Sequence, residues 1–270
     1  MELGRPPRLR LLGAEFDLVT PAQMLERTAG YVARGKPAIV ANHNSHSLYL
    51  YQRSAALRAF FAAADLIEVD SVPVIAWGRL LGMPVSRAHR CTYLDWRDDF
   101  WRTADERRWK VFYLGGAPGV AEAAWDRLSQ EWRNVRLAWR HGYLDADPAS
   151  DDNQALLAQI AAFDPDIIFV GMGMPRQEQW ILDNHAAIAR GVLFSVGAAF
   201  DYEAGVQTAA PRWMGRIGLE WLFRLATQPR RLAMRYLVEP WFLAPLALGD
   251  VRARIASRRA AAAGPGLSHP

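Results

Sequence analysis

A single cysteine, Cys91, occurs in the 270 residues, which excludes an intramolecular disulfide and a metal cluster built from cysteines. Nowhere does the chain supply the ~20 uninterrupted apolar residues of a spanning helix. Its opening stretch, MELGRPPRLRLLGAEFD, has no apolar run suited to a secretory signal. The expectation is a soluble, cytoplasmic protein in a reducing compartment. No internal repeat is present. At 51% hydrophobic and 22% charged, the composition is that of a folded globule, not of a disordered chain. The length suits one large α/β domain with an appendage.

What is present is unevenly charged. Between Gln207 and Arg259 stand ten arginines against only Glu220, Glu239 and Asp250, so this segment carries +7 of a total of +4 and the rest about −3. Such asymmetry points to an acidic partner: phosphate groups, anionic lipid or nucleic acid. No recognisable nucleic-acid module accompanies the patch, so no nucleic-acid partner is expected.

Short apolar runs alternate with helical periodicity. Leu9–Val19 reads as one or two strands. Further strands are expected at 37–42, 66–70, 110–114, 135–139, 167–170 and 192–196. Helices are expected at 21–33, 48–63, 72–81, 93–107, 120–131, 153–163 and 177–187. This alternation predicts an α/β fold, a Rossmann-like, mostly parallel sheet with helices on both faces, plus a C-terminal helical appendage. Residues 1–207 form the expected core, 208–259 an arginine- and aromatic-rich appendage broken at Pro229, Pro240 and Pro245, and 260–270 a disordered tail.

Ligands in such sheets bind at the carboxyl ends of the strands, and several polar or glycine-rich turns lie there. Gly115-Gly116-Ala-Pro-Gly119 suits either a phosphate cradle of backbone amides or a tight βα turn. A dinucleotide site would add an acidic residue about 20 positions on. That region, Arg136-Leu-Ala-Trp-Arg-His141, holds no acid until Asp145, which disfavours a nicotinamide cofactor and a nucleotide-dependent oxidoreductase. Gly171-Met-Gly173-Met-Pro175-Arg-Gln177-Glu178 couples a close turn to a helix start. Its glutamine can pair with a base or sugar edge and its carboxylate with ribose hydroxyls; the alternative is a capped helix whose Glu178 complements the dipole. Asp70 ends a strand, where a carboxylate serves as general base or, as the sequence alone favours, caps the next helix. Asn42 and Asn44 suit sugar hydroxyls. His43 and His46 are spaced to share a metal but lack further ligands. Asp145/Asp147 and Asp164/Asp166 read as turn and capping residues. Arg224, Arg230, Arg231 and Arg235 beside tryptophan and tyrosine suit pyrophosphate or a membrane surface.

The order of these motifs resembles the WecG/TagA/CpsF glycosyltransferases over roughly Leu9 to Tyr236. The matching pieces are Ala64-Asp-Leu66 leading to Asp70, Val111 to Gly116, Gly142-Tyr143, Gly171 to Trp180, Val196-Gly197 with Phe200-Asp201, Ala204-Gly205, and Ala210-Pro211-x-Trp213. They continue with Gly218 to Leu225 and Pro229-Arg230-Arg231 followed by Arg235-Tyr236. The resemblance implies an inverting transfer from a UDP-sugar to an undecaprenyl-pyrophosphate-linked sugar, with neither cofactor nor metal. It implies a protein peripheral on the inner face of the cytoplasmic membrane, serving exopolysaccharide or cell-envelope synthesis. Asp70 would be the base. Asn42, Asn44, Gly115, Gly116, Gly171, Gly173, Pro175, Gln177, Glu178 and Asp201 would bind substrate, and Arg224, Arg230, Arg231 and Arg235 the diphosphate and anionic lipid. Four positions depart from the pattern: Ser71 for glycine, Asn42 for threonine, Ala209 for arginine and Gln228 for glutamate. They suggest a branch handling glucose instead of an N-acetylated mannose. The rival is a non-catalytic, membrane-associated nucleotide binder. The oligomeric state, a homo-oligomer included, is left open by the sequence.

Overall fold

Apolar runs of four to six residues can hide both faces only inside a sheet covered on both sides. The computed structural model describes residues 4–262, the side chains of Arg212, Arg216, Ile217, Arg231 and residues 260–262 excepted. Among these residues, β3 (Ala38–His43), β4 (Leu66–Val69), β5 (Lys110–Gly115), β6 (Arg136–Arg140), β7 (Ile167–Gly171) and β8 (Val192–Ser195) form one parallel sheet in the order β4-β3-β8-β7-β5-β6. Before it, β1 (Arg8–Leu11) and β2 (Ala14–Asp17) make an antiparallel hairpin. Leu12 and Gly13, both at positive φ, supply its two-residue turn.

The side-chain alternation of each strand sorts the core into two layers. Ile39, Phe112, Leu114, Ile168, Val170 and Leu193 face α2 (Ser45–Tyr51), α3 (Ala55–Ala63), α4 (Val72–Leu80), α7 (Asp151–Phe163) and α8 (Arg176–Asn184). Val40, Val111, Tyr113, Phe169 and Phe194 face α1 (Pro21–Arg34), α5 (Tyr93–Glu106), α6 (Val120–Glu131) and the short α9 (Ala199–Glu203).

The helix expected over 48–63 is two helices. Ser54 accepts from the Leu57 amide and caps a new start, which a period count cannot see. Beyond the sheet come α10 (Arg212–Ile217), α11 (Glu220–Thr227), α12 (Pro229–Ala233), a single π turn at Met234–Val238, a 3-10 turn at Glu239–Leu243 and α13 (Ala244–Ala262). Pro245, expected as a break, sits in the first turn of α13, where its missing N–H costs no helical bond. That helix also runs three residues into the expected tail; residues 263–270 lie outside the described chain.

The appendage is fastened to the sheet end that carries the site. Glu239 meets His46 at 2.7 Å and Glu220 meets Arg90 at 3.3 Å. The Gly215 carbonyl accepts from Arg87 at 2.6 Å. Asp250 accepts from the Leu12 amide at 2.9 Å and the Trp77 indole at 3.1 Å.

Candidate active site

A cavity of about 980 Å³ opens at the carboxyl ends of the parallel strands, large enough for a nucleotide with a sugar attached. One wall carries Gly116, Gly142, Gly171, Gly173 and Gly197; the opposite wall is Glu220, Trp221, Arg224, Arg235 and Tyr236 of the appendage. Asn42, Asn44, Glu68 and Asp70 line it from β3, β4 and the turns after them, and Asp201 from α9.

The glycines are there because backbones touch. A Cβ on Gly171 would stand 2.5 Å from the Gly197 carbonyl oxygen and 2.8 Å from the Tyr113 hydroxyl; one on Gly115 would stand 2.5 Å from the Gly171 carbonyl. The expected phosphate cradle takes another form. The amide of Gly116 donates to Gly171, that of Gly142 to Gly116, and those of Gly173 and Gly197 both to Gln177 Oε1, at 3.1 and 3.2 Å. These amides shape the wall instead of awaiting an anion.

Gln177 is thus a brace between the turns after β7 and β8, and its Nε2 donates to Glu178 at 2.7 Å. Glu178 lies behind the cavity wall, buried, with Oε2 unpartnered. Pro175 precedes α8 and also does not line the cavity. Burial raises the Glu178 carboxyl to about 7. Its neutral form therefore favours folding below the ordinary value near 4.5, and that stability is lost as pH rises through 7. Glu178→Gln is expected to leave melting at pH 4 unchanged and to stabilise the protein at pH 8 by about 2 kcal/mol, read by thermal denaturation at the two pH values.

Asp70 is relieved of the capping role that its position suggested. Ser71 caps α4 instead, and its hydroxyl also meets that of Ser45 at 3.0 Å. This leaves the Asp70 carboxylate on the cavity floor. Burial, then Glu220, push it up to about 7 against the opposing pull of Arg90 and Arg224. Asn42 spends its amide on the Cys91 carbonyl at 3.0 Å and Glu68 at 3.4 Å; Asn44 Oδ1 caps α2 through the His46 and Ser47 amides. Both therefore hold the floor in shape.

Arg224 lines the cavity with its Nε unpartnered, and Arg235 reaches it from the π turn, a helix distortion often found at functional sites. Arg230 is exposed and outside the lining, and the Arg231 side chain lies outside the described residues. His43 and His46 part ways: His43 stacks on Phe61 at 3.6 Å and is driven by burial to about 3, while His46 faces Glu239. Asp145, Asp147, Asp164 and Asp166 make turn and strand-start contacts and do not line the cavity.

Sequence reasoning missed three members. Arg90 grips Asp95 with two bonds at 2.7 and 2.8 Å and reaches Glu220, so it couples the core to the appendage. Its signal was the arginine-rich connection before α5. Glu68, a charge inside an apolar strand, and Glu220 were equally visible and passed over.

A parallel α/β sheet with a nucleotide-sized cavity at its strand ends, lined by glycines, a half-buried carboxylate and arginines, places the protein in the Rossmann-like class. The profile of the glycosyl transferase WecG/TagA/CpsF family matches residues 9–257, and the chain belongs to that family; it is a glycosyltransferase. It is 29% identical over 241 residues to the N-acetylglucosaminyldiphosphoundecaprenol N-acetyl-beta-D-mannosaminyltransferase of Staphylococcus aureus strain NCTC 8325 / PS 47, covering 86% of this chain and 89% of that one. The same figures hold for the enzymes of strains COL and MRSA252.

Proposed function

We propose that the protein transfers a sugar from a UDP-sugar to a hydroxyl of a polyprenyl-diphosphate-linked sugar, with inversion and without a metal, in exopolysaccharide or cell-envelope synthesis. The observation that carries the reading is Asp70, uncapping and raised to about 7, on the floor of a cavity walled by glycine turns and by Arg224 and Arg235. The acceptor oxygen attacks the anomeric carbon from the face opposite the nucleotide as its proton passes to Asp70. The bond from the anomeric carbon to the phosphate oxygen breaks, and UDP leaves with the electron pair. Arginines facing that oxygen stabilise the charge developing there, the role a metal takes elsewhere. The relatives' printed name specifies a diphosphoundecaprenol-linked acceptor, which supports a lipid-linked acceptor for this chain.

No helix among the described residues is long and apolar enough to cross a membrane. Met234, Leu237, Trp241, Phe242 and Leu248 are exposed on the segment that contributes Arg235, Tyr236, Pro240 and Leu243 to the cavity lining or just after it, and Arg53 lies over the Phe242 ring at 4.6 Å. Such a surface suits peripheral attachment to an anionic leaflet, with the acceptor's lipid left in the bilayer. UDP release would be measured with UDP-glucose, UDP-N-acetylmannosamine and UDP-glucuronic acid on lipid-diphosphate-sugar acceptors, with excess chelator. Acceptor-dependent release from one donor is the expected result; UDP binding with no release from any would favour the non-catalytic rival. In the same assay Arg224→Ala should lower kcat by about 10²-fold while UDP still binds.

A further inference from the structure

Glu68 stands two residues before Asp70 on the same side of the β4 strand line, and both line the cavity floor. Its surroundings are unusual for a carboxyl. It is 2% exposed, Oε1 has no partner, and Oε2 has only the Asn42 amide at 3.4 Å. Asn42 is itself pinned to the Cys91 carbonyl, so the pair is held from the neighbouring strand β3 and from the segment before α5. Among the described residues no cation is paired with Glu68. Arg90, bonded to Asp95 and Glu220, and Arg224 of α11 both pull on Asp70, while Glu220 and Asp95 push it the other way. The Cys91 thiol beside the pair is held neutral by burial. A buried carboxyl so placed cannot stay ionised next to a second negative charge.

We propose, building on the reading of Asp70 as the base, that Glu68 and Asp70 act as one carboxyl pair holding a single proton in the resting enzyme. Glu68 keeps that proton and Asp70 is left free to take one from the acceptor. Glu68 is then a positioning residue for the base. The electrostatics run the same way: burial raises Glu68, the Asn42 hydrogen bond opposes it and the Asp70 charge adds to it, leaving Glu68 at about 8 and Asp70 at about 7. The two steps belong to the pair as a whole. The reactive form, with Asp70 ionised and Glu68 neutral, has its window between them. Above it, a second buried negative charge on the floor opposes the diphosphate donor, and kcat/KM falls through KM.

The test is the pH dependence of kcat/KM between 5.5 and 9.5, on the full-length protein with a UDP-sugar and a lipid-diphosphate acceptor. Wild type, Glu68→Gln and Asp70→Asn would be compared. A bell is expected for wild type. Glu68→Gln should keep the acid limb and lose the alkaline one, ending about tenfold faster than wild type at pH 9. An unchanged alkaline limb in Glu68→Gln, with Asp70→Asn inactive, overturns the pair and leaves the base standing. Wild-type activity in Asp70→Asn overturns the base itself and the pair with it. If Glu68→Gln does not fold, or no donor is turned over, carbon-13 carboxyl NMR of the wild-type protein decides. Coupled two-step titration of both carboxyls supports the pair, and two independent single steps overturn it.

Discussion

Asp70→Asn is expected to lower kcat by about 10³-fold, the scale of a lost general base, while UDP binding stays within about threefold of wild type. The asparagine keeps the shape of the side chain and cannot accept the acceptor's proton. Two further results belong to the same variant. In wild type, activity should rise through about pH 7, because Asp70 is reactive only when ionised and its surroundings hold it near that value. Residual activity in Asp70→Asn should lack that acid limb. The variant should also melt higher at pH 8, since a carboxyl raised by burial costs folding energy once it ionises, and the amide does not. Full activity in a folded Asp70→Asn protein would falsify the base assignment.

Gly171→Ala should be strongly damaging for a single methyl group. The new Cβ would meet backbone at 2.5 Å, the Gly197 carbonyl, and the buried Tyr113 ring and hydroxyl within 3 Å. None of these is the yielding end of a flexible side chain. The strand ends of β7 and β8 must separate, at about 3 kcal/mol of stability or more, and the cavity wall separates with them. UDP affinity is therefore expected to fall at least tenfold. Gly173→Ala is the matched control: no atom lies within 4 Å of its Cβ position, but its φ is +80°. It should cost about 1 kcal/mol and spare most of the affinity. Thermal melting and calorimetric titration with UDP would separate the two; equal losses would mean that conformation, not space, selects glycine at both positions.

The parallel strands were legible because burial on both faces leaves them nearly all apolar, as in Ile167-Ile-Phe-Val and Val192-Leu-Phe. The sheet's strand order was not, since nothing local tells β8 to enter between β3 and β7. At the site, Asp70 was readable as a carboxylate at a strand end, but its freedom depends on Ser71 taking the cap, a contact between neighbours that spacing cannot assign. Gln177 and Glu178 were readable as a pair that matters. That Gln177 accepts from both the Gly173 and Gly197 amides follows from two turns meeting in space. Arg90 and Glu220 lie 130 residues apart and join only when the appendage docks, so each alone looked like an ordinary surface charge.

The strand order carries a consequence for how the molecule is made. Strand β8 is the last of the six to be synthesised, yet it occupies an interior position and joins the β4-β3 pair to the β7-β5-β6 trio. Until residue 195 is available, a growing chain holds two partial sheets whose facing edges, at β3 and β7, have no neighbour. Unpaired edges are sticky, and pairings of such long sequence separation form slowly. The emerging polypeptide is thus most vulnerable to misassembly just before its central seam closes. The arginines of the far end arrive only after that seam, so catalytic competence is the final property the chain acquires.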